Sequence, residues 1–217
     1  MKEKSKYVLI LNEIQKIVFH DIKPFGFKMK GRTFNREVEK GIFHVINFQS
    51  GQFEIGQKYD NPLFKTDYYG EFTVNLGVCI EELNEIKFGK LKPFYQDYDC
   101  TIRTRLGQLL YDKDFWWKIE GNSLTTARTI SDGILQNAMS WFQKFETRDD
   151  ICKNHGTDRY SSSNRAKLDI ALIVLRKDRE KGVEMFLNYL NDLEENMTHH
   201  KNYILELATS LGISVET

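Results

Sequence analysis

Two arginines at alternate positions, Arg103 and Arg105, are the strongest candidates for a binding site in this chain of 217 residues. Alternate side chains of an extended segment point to the same face, and two neighbouring guanidinium groups hold a carboxylate or phosphate through paired hydrogen bonds. The amide side chains of Asn47, Gln49 and Asn75 fall at alternate positions of two other strand-like segments. If those segments pair as neighbours, the pattern predicts a site for an acidic group on a polar sheet face.

Two tryptophans follow the arginines, and they complete the predicted site. Trp116 or Trp117 would stack on the planar part of a ligand or form a wall beside it. The competing interpretation is an ordinary solvated outer face, on which the arginines pair with glutamates across the strands. The predicted partner is a protein or a small anionic ligand, not yet identified.

An enzyme acting on an anionic substrate is the first alternative function, because the same arginines would stabilise negative charge in a transition state. It requires a titratable group in the same pocket as a general acid or base. Four residues are candidates for that role: His44, Asp97, Asp99 and Asp112. The sequence has no nucleophile elbow, phosphate-binding glycine loop or zinc-protease motif, so we assign no catalytic residue.

A basic stretch over residues 22–40 offers a second alternative, nucleic-acid binding. It holds six basic residues against two acidic ones, with phenylalanines between them, a mixture used to bind single strands. The residues that would contact phosphate are Lys28, Lys30, Arg32 and Arg36. Lysines also protect an exposed strand edge from unwanted pairing, and the balance of 31 basic against 31 acidic residues disfavours a nucleic-acid domain.

Metal chemistry has little support in the sequence. Asp149, Asp150, Cys152 and His155 lie close together, and a second pair, Glu195 and His199, has the spacing of one helical face. Zinc sites need three or four convergent ligands, and neither group supplies them. We therefore predict no metal and no cofactor.

Composition predicts a folded, cytoplasmic protein. Hydrophobic residues make up 41% of the chain and aromatic residues 13%, enough to form a core. The three widely spaced cysteines are typical of reduced thiols. The N-terminal segment lacks the features of a signal peptide, and no run reaches the roughly 18 apolar residues of a membrane span.

Hydrophobic periodicity predicts an α+β fold in which these candidate residues are positioned by a sheet. Residues 3–22 and 124–146 have the apolar spacing of long helices. Residues 71–80 alternate between apolar and small or polar side chains, which is the pattern of a strand. We expect an antiparallel meander of four to five strands packed against both helices.

Two glycines mark the connections in the first part of the sheet. Gly41 separates two strand-like runs and predicts a hairpin turn. Gly31 is interpreted as a bulge that brings Phe27 and Met29 to the same face as Phe34 and Val38. Residues 50–69 are predicted to form a loop, whereas 100–109 and 114–120 are candidates for further strands.

The chain divides into three predicted parts. Residues 1–147 form the α+β domain, 148–163 a linker or long loop rich in polar residues, and 164–217 a helical C-terminal extension. Three short helical patterns in the extension end the chain. Whether they pack on the domain or form an interaction surface is left open by their pattern.

Several short motifs occur in an order that resembles the bacterial family catalogued as domain of unknown function 4304. They are GFKMKGRTFNRE, HVINFQ, FTVNLGV, DCTIRTRLGQL and DFWW, within roughly residues 10–146. The resemblance implies a bacterial cytosolic α+β domain, and it supplies no activity. Together, the residues and the resemblance predict a binding or interaction protein without enzymatic activity, with the two alternatives above kept open.

Overall fold

A long N-terminal helix opens the computed structural model, which describes residues 6–51, 68, 70–119, 122–161, 163–194 and 196–215. Helix α1 spans Lys6–Ile22, and its buried face holds Leu11, Ile14, Val18 and Ile22, the apolar residues that recur at three- and four-residue steps. A single 3-10 turn, Lys23–Phe25, follows it. Gly26 then reverses the chain with a left-handed φ of 89°, a conformation that glycine adopts without strain.

Five strands run in sequence order through one antiparallel sheet, which confirms the predicted meander. Their bounds are β1 Lys28–Lys30, β2 Thr33–Glu39, β3 Ile42–Ser50, β4 Glu71–Ile80 and β5 Ile102–Arg105. A sixth strand, β6 Trp117–Lys118, pairs with Glu71 and Phe72 of β4. Most of the loop predicted over residues 50–69 lies outside the described residues.

The structure confirms the prediction for Gly41 and contradicts the prediction for Gly31. Gly41 forms the predicted turn between β2 and β3, with a φ of 82°. The interpretation of Gly31 as a bulge was wrong: Lys30 pairs with Thr33, so Gly31 and Arg32 form a tight turn between β1 and β2. The turn requires the positive φ of 62° that Gly31 adopts. Met29 is consequently 41% exposed instead of joining the core.

One face of the sheet packs against α1 and the long helical segment, as expected. Phe19 of α1 contacts Phe34 with ring centroids 5.5 Å apart, and Phe34 contacts Phe48 at the same distance. The long segment comprises α4 Ser123–Gly133, a π-helical turn Ile134–Ala138, α5 Met139–Phe142 and a 3-10 turn Gln143–Phe145. We call this side the helix face.

The opposite face of the sheet is also covered, so the competing interpretation of a solvated outer face was wrong. Every residue of β4 after Glu71 is buried. Beyond helix α2, Glu81–Phe88, the chain crosses this face through residues 92–100, and Tyr95 packs there against Val45, Cys79 and Cys100. A Cβ atom at position 77 would lie 2.5 Å from the Cys100 Sγ atom, so this close crossing depends on glycine. We call this side the covered face.

The remaining elements are helical. Helix α3, Leu106–Tyr111, follows β5 directly. The chain forms two compact units, Met1–Asp150 and Ile151–Thr217, and we call the second the helical unit. A helix, α6 Arg148–Asn154, occupies the first half of the segment predicted as a linker or long loop. The three predicted C-terminal helices are α7 Ala166–Lys177, α8 Arg179–Asn191 and α9 Thr198–Ser210.

His44 is a buried, neutral histidine on the helix face. Its ring stacks on Phe142 with centroids 4.4 Å apart, its Nε2 atom donates to the Phe145 carbonyl oxygen at 3.1 Å, and its Nδ1 atom accepts from Arg36 at 2.9 Å. Burial lowers its pKa from 6.5 to about 3; the hydrogen bond to Phe145 opposes this shift and the positive charge of Arg36 adds to it. The native state therefore excludes a proton that the unfolded state binds below pH 6.5.

This predicts a loss of stability as the pH falls from about 6.5 toward about 3. The linkage amounts to about 2 kcal/mol of unfolding free energy at pH 5. Urea unfolding at pH 7 and pH 5 measures it, and His44→Gln should remove most of this pH dependence. His20→Gln, at an exposed histidine, is the control and should retain the wild-type dependence. Equal pH dependence in wild type and His44→Gln would contradict the assignment.

Candidate functional site

A row of polar residues crosses four strands on the covered face. Thr33, Asn47, Asn75 and Arg105 are successive register partners on β2, β3, β4 and β5. The period of two therefore brings the predicted amides and one predicted arginine onto one face, as the sequence indicated. The covering segment closes over most of this row and leaves the arginine end more exposed.

Asn75 is the centre of the resulting network, and its side chain is only 4% exposed. Its Nδ2 group donates to Gln49 Oε1 at 2.9 Å and to Asp97 Oδ2 at 3.1 Å. Its Oδ1 atom accepts from Arg105 Nε at 3.1 Å. Both donor hydrogens of the amide and one of the two lone pairs of its oxygen thus bind residues of the site.

Both predicted arginines form ion pairs inside this chain. Arg103 Nη2 lies 3.0 Å from Asp97 Oδ2, and Arg105 Nη1 pairs with the Asp114 carboxylate. The Asp97 side chain is 12% exposed and that of Asp114 46% exposed. Arg105 is therefore held at Nε by a buried amide and at Nη1 by a carboxylate that is open to solvent.

An aromatic stack lies beside Arg105. The Arg105 guanidinium lies over the Trp116 ring at 5.4 Å from its centroid, and Tyr68 stacks on Trp116 at 4.3 Å. The Trp116 Nε1 atom is buried and has no hydrogen-bond partner among the described residues. We define the arginine cluster as Gln49, Asn75, Asp97, Arg103, Arg105, Asp114 and Trp116.

Two of the predicted site residues point to other contacts. Asn47 donates to Thr33 Oγ1 at 2.8 Å, and Thr33 donates in turn to Gln96 Oε1 at 2.6 Å. This pair therefore anchors the covering segment instead of joining the arginines. Trp117 is buried, and its ring packs against Phe72 on the helix face.

The candidate acids and bases of the enzyme alternative also lie in different parts of the structure. Asp97 alone belongs to the arginine cluster. His44 lies on the helix face, Asp99 pairs with Lys92 at 2.6 Å, and Asp112 forms the left-handed end of α3. Burial also raises the pKa of Cys79 and of Cys100 on the covered face, so both remain protonated thiols near neutral pH and are poor nucleophiles.

The four basic residues of the nucleic-acid alternative do not form one surface. Lys28 and Lys30 pair with Asn35 and Thr33 and extend from the exposed strand β1. Arg36 instead lies on the helix face, with its side chain 13% exposed and its guanidinium 5.1 Å from the centroid of the Phe27 ring. Arg32 donates to Ser50 Oγ at 2.6 Å.

The phenylalanines of that stretch are mostly unavailable for stacking on bases. Phe27 is 2% exposed and Phe34 is fully buried, whereas Phe25 is 47% exposed. Phe27 and Phe34 contribute instead to the hydrophobic core. The mixture of basic and aromatic residues therefore reflects a strand whose two faces have different environments.

Metal ligands are not brought together in the described part of the chain. It contains no group of three or more His, Cys, Asp or Glu side chains placed to hold an ion. His155 pairs instead with Asp169 at 3.1 Å inside the helical unit, and Glu195 lies outside the described residues. Among the described helices, none combines the length and the apolar character needed to cross a bilayer.

Asp114 and Gln96 are members of the network that our sequence analysis did not identify. Asp114 precedes Trp116 by two residues in DFWW, so an extended reading of that motif would have placed both on one side. Gln96 lies in an irregular segment with no periodic signal. Its position depends on the path of the covering segment alone.

Comparison with known proteins gives one match. The sequence model of a family described as a domain of unknown function (DUF4304) matches residues 18–144, more than half of the chain. This confirms the resemblance carried by the ordered motifs. No curated protein and no solved structure matches the chain.

The geometry of Asn75 makes its truncation a direct test of the network. Asn75→Ala leaves Arg105 Nε without its acceptor and removes one donor from the buried Asp97 carboxylate. We expect it to lower the free energy of unfolding by about 1–3 kcal/mol, the range for an unsatisfied buried polar group. Chemical denaturation measures the change. Asn137→Ala, at an exposed helical asparagine, should change stability by less than about 0.5 kcal/mol, and equal effects of both variants would count against the network.

Proposed function

We propose, from the premise that the chain belongs to the DUF4304 family of unknown function, that it is a non-enzymatic binding protein. It engages an acidic group of a partner protein or of a small ligand at the arginine cluster. The observation that carries this proposal is the state of Arg105, which is fixed from the buried side by Asn75 and paired on the exposed side with a carboxylate.

Asp114 acts as an internal stand-in for the acidic group of the partner. Exposed ion pairs contribute only about 0–1 kcal/mol, so exchange of Asp114 for an external carboxylate or phosphate costs little. The Nε atom of Arg105 stays bound to Asn75 during the exchange, which limits the entropy lost on binding. The Trp116 ring under the Arg105 guanidinium also helps to hold it in place, and Arg103 adds a second positive charge.

Arg103 and Asp97 have a different role in this proposal. The Asp97 carboxylate is largely buried between Asn75 and Arg103, and removing one partner of such a pair is costly. Asp97 therefore stays in place and positions Arg103, whose side chain is 49% exposed. The exchangeable contact is the one between Arg105 and Asp114.

The setting we propose is the bacterial cytosol. The bacterial origin is implied by the resemblance of the motifs. Cys79 and Cys100 are free, buried cysteines, which fits a reducing compartment. Neither argument bears on the identity of the partner.

The proposal predicts opposite effects for the two members of the exposed pair. Arg105→Gln should lower capture of a protein or small ligand from the native lysate at least about tenfold, and it leaves the pair of Arg103 and Asp97 intact. Asp114→Asn should increase capture up to about fivefold, because it removes the competing carboxylate. Affinity capture followed by native mass spectrometry measures both.

Two exposed positions on α4 supply matched controls. Arg128→Gln and Asp132→Asn make the same charge changes at residues that are exposed, and each should leave capture at the wild-type level. If the α4 variants change capture as much as the cluster variants do, the change reflects the net charge of the protein and not the arginine cluster. Capture that survives Arg105→Gln would overturn the proposed function.

A further inference from the structure

The helical unit contains a cleft of about 450 Å³ that the proposed function does not use. Residues from the beginning of α7, the end of α8 and the beginning of α9 line it. Its charged and polar lining includes Arg165, Lys167, Tyr189, Asp192 and His200. Three helices thus bring cationic, aromatic and hydroxyl groups to one concave surface, the usual setting of a small-molecule site.

One wall of the cleft is built from planar side chains. The Tyr189 hydroxyl lies 2.7 Å from His200 Nε2, and the two rings meet edge to face with centroids 6.0 Å apart. His200 also stacks on Tyr203 at 6.2 Å, and the Arg165 guanidinium lies over the same Tyr203 ring at 5.7 Å. These contacts restrict the orientation of the imidazole and of the guanidinium before any ligand arrives.

The two basic and two acidic residues that line the cleft differ in their ion pairing. Lys167 Nζ lies 2.9 Å from Asp192 Oδ2, so these two residues neutralise one another. No carboxylate within the described ranges forms an ion pair with Arg165. Glu194 also lines the cleft and limits how much negative charge a ligand can bring. Arg165 is consequently the cation available for a ligand, with the His200 and Tyr189 pair beside it on the same wall.

Apolar side chains form the rest of the surface. Leu193 and Met197 line the cleft between α8 and α9, and Met197 is 43% exposed. A methionine side chain adapts its shape to different apolar groups. The cleft therefore offers an apolar surface next to a fixed polar end.

We infer that this cleft binds a small organic anion whose carboxylate or phosphate lies at Arg165 and His200 and whose apolar body rests on Leu193 and Met197. The inference goes beyond the proposed function, because it concerns the helical unit and none of the residues of the arginine cluster. A charge-assisted hydrogen bond from Arg165 supplies most of the affinity. Stacking on Tyr203 keeps the guanidinium in place without consuming its donors.

Nuclear magnetic resonance of the full chain, with labelled histidine rings, tests the inference. The probes are benzoate, phenyl phosphate and benzylamine, which share an aromatic body and differ in charge. The two anions should shift the His200 ring signals saturably with a dissociation constant on the order of 1 mM, the range for ligands of this size. Benzylamine should not, and the stronger of the two anions identifies carboxylate or phosphate as the preferred group.

Substitution of Arg165 provides the decisive comparison. Arg165→Gln should weaken anion binding by about tenfold or more, whereas Arg165→Lys keeps the charge and should retain part of the affinity. Arg159→Gln is the matched control, since Arg159 lies over the Tyr160 ring at 5.1 Å but does not line the cleft. The absence of a saturable shift with either anion, binding of benzylamine as tight as that of benzoate, or equal weakening by Arg159→Gln would each overturn the inference.

Discussion

The covered face of the sheet depends on the hydrogen bonds made by one buried amide, that of Asn75. A polar side chain enclosed between a sheet and a crossing segment is stable only when its donors and acceptors are satisfied. Asn75 meets that requirement by binding Gln49, Asp97 and Arg105. The bond to Asp97 attaches the covering segment to the sheet, and the bond to Arg105 fixes the direction of its guanidinium. The same amide therefore serves both the fold and the proposed binding geometry.

The second constraint is a pair of polar groups on the helix face. His44 bonds both to Arg36 and to the Phe145 carbonyl, which joins β2, β3 and the end of the long helical segment. The Arg36 side chain is therefore largely withdrawn from solvent, and its charge is paired with Glu146 at 3.7 Å. The sheet uses its polar residues differently on its two faces: one set holds the helices, and the other holds a crossing segment and leads to the exposed arginines.

Local periodicity predicted the part of this fold that depends on alternation. The period of two in FTVNLGVCI identified β4 and its core face, and it placed Asn75 on the same side as Arg105. Alternation predicts which residues share a face of the sheet, but it does not predict which segment covers that face. The covering segment, with Tyr95, Gln96 and Asp97, has no period because it is irregular, and its position follows from long-range contacts such as the bond from Tyr95 N to Asn35 Oδ1 at 2.7 Å.

The turn at Gly31 positions two lysines of the basic stretch over residues 22–40. With a bulge at Gly31, β1 and β2 would continue as one strand, with Phe27 and Met29 on the same face as Phe34. With the observed turn, the chain reverses, Lys28 pairs with Asn35, and Arg36 falls on the helix face. The turn places Lys28 and Lys30 on the exposed strand β1, apart from the largely covered Arg36, and the sequence pattern alone is compatible with a bulge or a turn at Gly31.

The central claim is that Arg105 is a fixed guanidinium whose exposed carboxylate partner can be exchanged. The most direct measurement is the arginine Nε–H spectrum of the protein during titration with succinate and with inorganic phosphate. The account predicts a protected Arg105 Nε–H signal in the free protein that shifts saturably with at least one of these anions, and more strongly in Asp114→Asn. A signal that exchanges freely with water, or that responds to neither anion in either protein, would contradict it.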